Sequence, residues 1–230
     1  MYAFFERWNA RGLPHRLVDR LRGRLRVAQG RGELPTACSI DSQSVKAADT
    51  VGAVSRGFDG GKKINGRKRH IAVDTLGLLL AVVTAASVQD RDGACPLLAV
   101  LRERFSTITL VWADGGYAGR LVSWVAGVLR LSLTVVKRSD DTRGFVVVPR
   151  RWVLERTFGW LMRHRRLVRD YERLPEHHEA MVLWATVMIM TRQLARHTTG
   201  TPPQPRWGGD RPAPPPNQIN RPPETFANRL

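Results

Sequence analysis

The 230-residue chain contains only two cysteines, three tyrosines and five lysines. Two cysteines exclude a disulfide framework and a cysteine-built zinc site. Both Cys38 and Cys95 lie in apolar contexts and are expected to be buried thiols. No apolar run reaches the roughly 20 residues of a membrane-spanning helix; the longest runs only from Ala180 to Met190. No signal-peptide pattern opens the chain. Acidic residues are scarce as well, 20 against 37 Lys and Arg, which leaves a formal net charge of +17. A surplus of that size points to a polyanion, most often nucleic acid, because each cation near a phosphate releases a counter-ion. A soluble cytoplasmic protein with no membrane partner is expected. The hydrophobic share, 43%, suffices for one substantial core.

Against this background three carboxylates stand out. Residues 107–113 are apolar and β-branched, the composition of a buried strand, and the run stops on Asp114 before Gly115 and Gly116 turn the chain. A carboxylate at the end of a buried strand sits at a sheet rim, where ligands bind in open α/β folds. The alternative is an Asp that caps the next helix. Asp41 interrupts a second strand, residues 36–45, and a charge there is costly unless it is paired, binds a cation, or faces water from an edge. Glu155 falls on a helix expected over residues 150–172. At about 100° per residue, Arg151, Gly159, Met162, Arg166 and Arg169 share its face, while Val153, Trp160, Leu161, Leu167, Val168 and Tyr171 lie opposite. Glu155 is therefore either a surface partner of Arg151 or a third carboxylate within a phosphate-binding stripe.

The remaining pattern supplies the frame. A basic helix over residues 13–25 follows a short helical start, and residues 26–35 read as a linker. Residues 57–70 hold five cations, Lys62, Lys63, Arg67, Lys68 and Arg69, among glycines, and read as a flexible basic loop. A hairpin over residues 70–85 turns at Asp74–Gly77, which makes Asp74 a turn residue. Helices are expected over 90–105, 117–129 and 176–196, a fifth strand over 131–137 and a polar loop over 139–145. Nine of the 14 prolines fall between Pro202 and Pro223, so residues 198–230 are expected to be a disordered tail. Three parts result: a helical remnant with linker over 1–35, a catalytic domain over 36–197 and the tail. The element order implies an α/β, ribonuclease-H-like fold, a mixed five-stranded sheet flanked by helices with further helices towards the C-terminus.

Four segments carry a specific resemblance: 39–46 (SIDSQSVK), 61–77 (GKKINGRKRHIAVDTLG), 111–119 (VWADGGYAG) and 149–161 (PRRWVLERTFGWL). In order, they resemble the catalytic domain of DDE-type transposases of bacterial insertion sequences, the IS5 and IS4 groups. The likeness runs from about Tyr2 to Arg196. It implies a metal-binding triad of Asp41, Asp114 and Glu155, with Tyr117 in the short element after the second Asp and Arg151 four residues before the Glu. Val148 stands where the group has Tyr, and Met162 where it has Lys, with Arg163 adjacent. Members carry a further N-terminal helical domain before the segment that begins here at Tyr2, so a truncated element or a misplaced start is expected.

The resemblance implies cleavage and strand transfer at the ends of an insertion sequence. Hard oxygen ligands suit Mg²⁺ or Mn²⁺, and two ions would activate the attacking oxygen and stabilise the leaving 3′-oxygen. Expected partners are double-stranded DNA, namely terminal inverted repeats and target, and further copies of the chain on DNA, in the bacterial nucleoid. Phosphate contacts are expected from Lys46, Lys62, Lys63, Arg67, Lys68, Arg69, Tyr117, Arg163, Arg166 and Arg169. Two other classes remain: a DNA-binding remnant without activity, and a ribonuclease-H-type nuclease acting on hybrids or junctions.

Overall fold

Side chains alternate along β1 (Ala37–Lys46): Cys38 and Ile40 are buried in one core, and Ser39, also buried, and Asp41 belong to the other face. The computed structural model describes residues 2–86, 89–136 and 152–199. The expected loop at 139–145, Val148, Arg151 and the proline-rich tail lie outside the described residues. The chain divides into two units, Met1–Gly200 and Thr201–Leu230. The sheet and its flanking helices belong to the first.

Among the described residues the sheet has six strands. β3 (Ile64–Asp74) pairs antiparallel with β1 along one edge, and with β2 (Gly57–Asp59) and β4 (Leu79–Ala86) along the other. β1 then pairs in parallel with β5 (Leu110–Ala113), and β5 with β6 (Ser132–Val135). Without β2 the order is β4-β3-β1-β5-β6, three antiparallel strands followed by two parallel ones, the ribonuclease-H-like arrangement. The sixth strand corrects the expected five. β2 and the start of β3 form a hairpin out of the segment read as a flexible loop, because Ile64 to Asp74 pairs along almost its whole length with β1.

Helices cover both faces. α3 (Asp90–Arg104) packs Leu97, Leu98 and Leu101 against Ile40, Ala72, Leu80 and Val111. On the other face, α2 (Leu13–Ala28), α5 (Trp152–Leu161) and α7 (Pro175–Thr199) bury Leu25, Leu154, Phe158 and Leu183 against Ile71, Val73 and Leu79. α1 (Tyr2–Ala10) leads into α2. Cys38 is fully buried, whereas Cys95 is only half-buried, packed against the edge of the α3-side core.

Two helices differ from expectation. The segment after β5 is a single tight turn, Gly115–Tyr117, then a short α4 (Arg120–Trp124) that widens into a π turn to Leu129. The helix expected over 150–172 breaks after Leu161, resumes as α6 (Arg165–Val168) and ends there. Tertiary bonds override its period. Asp170 donates its backbone N–H to Lys46 O at 2.9 Å and accepts from Ala48 N at 2.7 Å, while its buried carboxylate binds Arg67 and His178, each at 3.1 Å. Val168 and Tyr171, placed on the core side by the helical wheel, are therefore 49% and 42% exposed.

Candidate active site

The parallel register pairs Ser39 with Trp112, and two residues further along these strands stand Asp41 and Asp114. Asp114 keeps an extended backbone, φ −84° and ψ −178°. Side chains alternate across a sheet, so both positions fall on the face of Ser39 and Trp112, away from the Cys38–Val111 core. That is the face on which α5 packs. Asp41 Oδ1 accepts Ser42 N at 2.7 Å, and Asp114 Oδ1 accepts Gly116 N at 2.9 Å. The two readings of Asp114 are thus compatible: it caps the tight turn and stands beside Asp41.

Tyr117 ends the tight turn that Asp114 caps. Its ring is 1% exposed within the α3-side core, and its hydroxyl is hydrogen-bonded to Ser42. Burial above all, then the charges of Asp41, Asp90 and Asp114, push the phenol's pKa upward. A buried ring cannot lie against a DNA backbone, so the expected DNA contact at Tyr117 is corrected to an internal one.

Asp90 is the residue that sequence reasoning missed. It reads as a helix start, and it does begin α3. Its Oδ1 also accepts Ser42 Oγ at 2.5 Å and Lys68 Nζ at 3.1 Å. A Cβ on Gly116 would lie 3.7 Å from Asp90 Oδ2 and 3.1 Å from Asp114 Oδ1, so this glycine leaves the two carboxylates facing a shared gap. Burial disfavours the charge on Asp90, but Ser42 and Lys68 outweigh it and hold the carboxyl below its usual range. Only the fold, which brings the α3 N-terminus beside Ser42 in the middle of β1, reveals this.

Glu155 stands exposed on the first turn of α5, with Arg151 outside the described residues. Its neighbours in sequence pin the helix. Arg156 donates to Leu76 O at 2.7 Å and Thr157 to Gly77 O at 2.8 Å, so α5 is docked on the β3–β4 turn. Asp74 holds that turn by accepting Leu76 N and Leu78 N and is bound by Arg26 at 2.5 Å, in keeping with its reading as a turn residue. Among the described residues no three His, Cys, Asp or Glu side chains converge on one point that could hold a metal ion.

The cations of 62–69 divide. Lys62 and Lys63 are exposed at the β2–β3 turn, as is Lys46 at the end of β1. Arg67, 1% exposed, is bound to Asp170 and to the carbonyls of Ser55, Glu172 and Arg173. Arg69, fully buried, donates to Gln43, Leu167 O and the Met162 sulfur, and burial lowers it to about 10. Lys68 lies between Asp90 and Asp59, at 3.1 and 3.7 Å. Phosphate contacts expected of Arg67 and Arg69 are therefore corrected to internal ones, since strand pairing turns both side chains into the protein. Arg163 and Arg166 are exposed, Arg166 paired with Glu172 at 2.5 Å, and Arg169 donates to Ala47 O.

Residues 32–190 match the model of the transposase DDE domain. The chain belongs to this family. The matched span runs from just before β1 into α7, so the whole sheet and Asp41, Asp90, Asp114 and Glu155 lie inside the DDE domain. A protein of Burkholderia cepacia named as a transposase for insertion sequence element IS402 is 29% identical over 139 residues, 57% of this chain and 65% of that protein. The chain thus matches less than two thirds of that relative's length. Among solved structures, the catalytic core domain of BIV integrase shares 12% identity at a TM-score of 0.44, over 72% of this chain and 99% of that one. A chain of the simian T-cell lymphotropic virus intasome, in complex with PP2A regulatory subunit B56 gamma, shares 16% identity at 0.46, over 80% and 61%. At such scores the strand order, and not these likenesses, defines the fold.

The donor set of the DDE domain fits a hard divalent cation. Mg²⁺ takes one or two carboxylates and completes its shell with waters and phosphate oxygens, and Asp41 and Asp114 provide two carboxylates on adjacent strands.

Proposed function

We propose that this DDE domain is the catalytic part of an insertion-sequence transposase, a polynucleotidyl transferase that cuts DNA at element ends and joins them to target DNA. The observation that carries the reading is the placement of Asp41 and Asp114 at one level on neighbouring parallel strands, within a chain of net charge +17. Asp41, Asp114 and Glu155 would hold Mg²⁺ or Mn²⁺. Bound divalent ions would supply a lowered pKa to the attacking water or 3′-hydroxyl and charge stabilisation to the leaving 3′-oxygen. The chain's own groups position the substrate: Lys46, Lys62 and Lys63 lie exposed near the end of β1 and at the β2–β3 turn and suit phosphates, and Arg151 and Arg163 extend that contact along the Glu155 segment. Double-stranded DNA, a homo-oligomeric state on it and residence in the nucleoid belong to the same reading.

A second reading is a DNA-binding remnant that occupies ends without cutting them, since among the described residues no three metal-ligating side chains meet at one point. Purified protein incubated with Mg²⁺ and terminal-repeat DNA, unrelated DNA or an RNA–DNA hybrid separates the cases. Cleavage preferring terminal repeats supports a transposase, cleavage preferring the hybrid a ribonuclease-H-type nuclease, and binding without cleavage a remnant.

A further inference from the structure

Ser42 lies between Asp41, which accepts its backbone N–H, and Asp90, which accepts its hydroxyl, and Asp90 faces Asp114 across Gly116. Like charges gathered at a half-buried rim repel one another unless a cation stands among them. Lys68, its side chain 10% exposed, stands beside one of them, held at 3.1 Å by Asp90 and at 3.7 Å by Asp59. Asp59 is fixed in turn by a short hydrogen bond from Ser44. Asp90 thus reaches both candidate metal-binding positions.

We propose that Lys68 and Asp90 form a built-in charge-balancing pair that positions Asp41 and Asp114 before any divalent ion arrives and sets how tightly that ion is then held. The proposal rests on the reading of Asp41 and Asp114 as metal ligands. Asp90 is a positioning residue in it, acting through Ser42 and across the Gly116 gap, and Lys68 is a resident counter-ion, not a DNA contact. Its reach explains a local oddity of the sequence. β3 carries three consecutive cations, and the middle one, facing opposite to Arg67 and Arg69, meets the α3 N-terminus and its carboxylate.

The sign of the effect distinguishes charge balance from a merely structural role. Lys68→Met leaves the Asp90 charge uncompensated near the ion's position and should tighten Mn²⁺ binding. Asp90→Asn keeps an acceptor for Ser42 but removes a negative charge and should weaken it. For one unit charge several ångströms from a divalent ion at a solvated rim, each change should be on the order of fivefold in Kd at low salt. The double variant, which restores local neutrality, should return close to wild type. Mn²⁺ titration of the DNA-free protein by electron paramagnetic resonance reads this directly, with thermal unfolding as a check that each variant folds.

Opposite shifts in the single variants with recovery in the double support the pair. Equal Kd values in all four proteins, or losses that add in the double variant, would overturn it while Mn²⁺ binding by wild type and its loss in Asp41→Asn still upheld the ligand reading. A wild-type protein that binds no Mn²⁺ would overturn both.

Discussion

Asp41 and Asp114 each stand two residues beyond the register pair Ser39 and Trp112 of two parallel strands, so one face of the sheet presents both. That relationship is set by backbone pairing. Substitutions that spare the pairing should therefore leave the scaffold intact, and those that disturb buried partners should not.

His70 is fully buried, and neither ring nitrogen meets a hydrogen-bond partner among the described residues. Burial lowers it to about 4, against an ordinary value near 6.5. The unfolded chain therefore takes up a proton at higher pH than the folded one. The contribution of neutral His70 is complete above about 6.5 and is lost as pH falls towards about 4. Glu179, pushed up to about 7 by burial, acts with the opposite sign over much of this range. The signature is thus a difference: between pH 6.5 and 4 wild type should lose stability relative to His70→Phe. Parallel denaturation curves for the two proteins at each pH would contradict the assignment.

Gly93 lets α3 lie against that imidazole, since a Cβ there would stand 2.1 Å from His70 Nε2. Gly93→Ala should destabilise by about 1–3 kcal/mol through overpacking, measured by chemical denaturation, and His70→Ala should relieve much of the loss. Absence of any coupling between the two substitutions would show that the contact is not tight.

Two cations of the 62–69 segment should separate stability from DNA binding. Arg67→Met leaves Asp170 buried beside a neutral group and should cost about 3–5 kcal/mol. Lys63→Gln should leave the unfolding midpoint unchanged but lower DNA affinity on every sequence equally, flattening the salt dependence by about 0.9 log unit for a lost phosphate contact. A selective loss on terminal-repeat DNA would instead assign Lys63 to base readout.

Much of this was legible in the sequence because it rests on local patterns. The strand ending at Asp114, the hairpin turning at Asp74–Gly77 and the apolar faces of α3 and α7 follow from composition and period. What stayed hidden depends on tertiary partners. Charge count alone cannot tell Lys63, exposed at a turn, from Arg67, whose guanidinium lies in the core against Asp170. Four arginines, Arg22, Arg26, Arg67 and Arg69, are buried, so the basic surplus overstates the surface that can meet DNA. Nor does a helical wheel foresee that pairing of Asp170 with Lys46 and Ala48 ends α6 at Val168. Asp90 joins the site only because α3 starts beside Ser42, a relation between residues 48 apart in the chain.

Asp41 and Asp114 should support metal-dependent DNA cleavage, and everything proposed for the site depends on it. Removing one negative charge should not weaken attraction for phosphate, so Asp41→Asn, Asp114→Asn and Glu155→Gln should bind DNA at least as tightly as wild type. The most direct test is Mg²⁺-dependent nicking of terminal-repeat DNA by wild type and Asp114→Asn, with DNA binding measured on the same samples. Nicking by wild type in Mg²⁺ but not in EDTA, lost at least a hundredfold (on the order of 3 kcal/mol) in Asp114→Asn with binding retained, is the expected result. Equal nicking by the two proteins would contradict it.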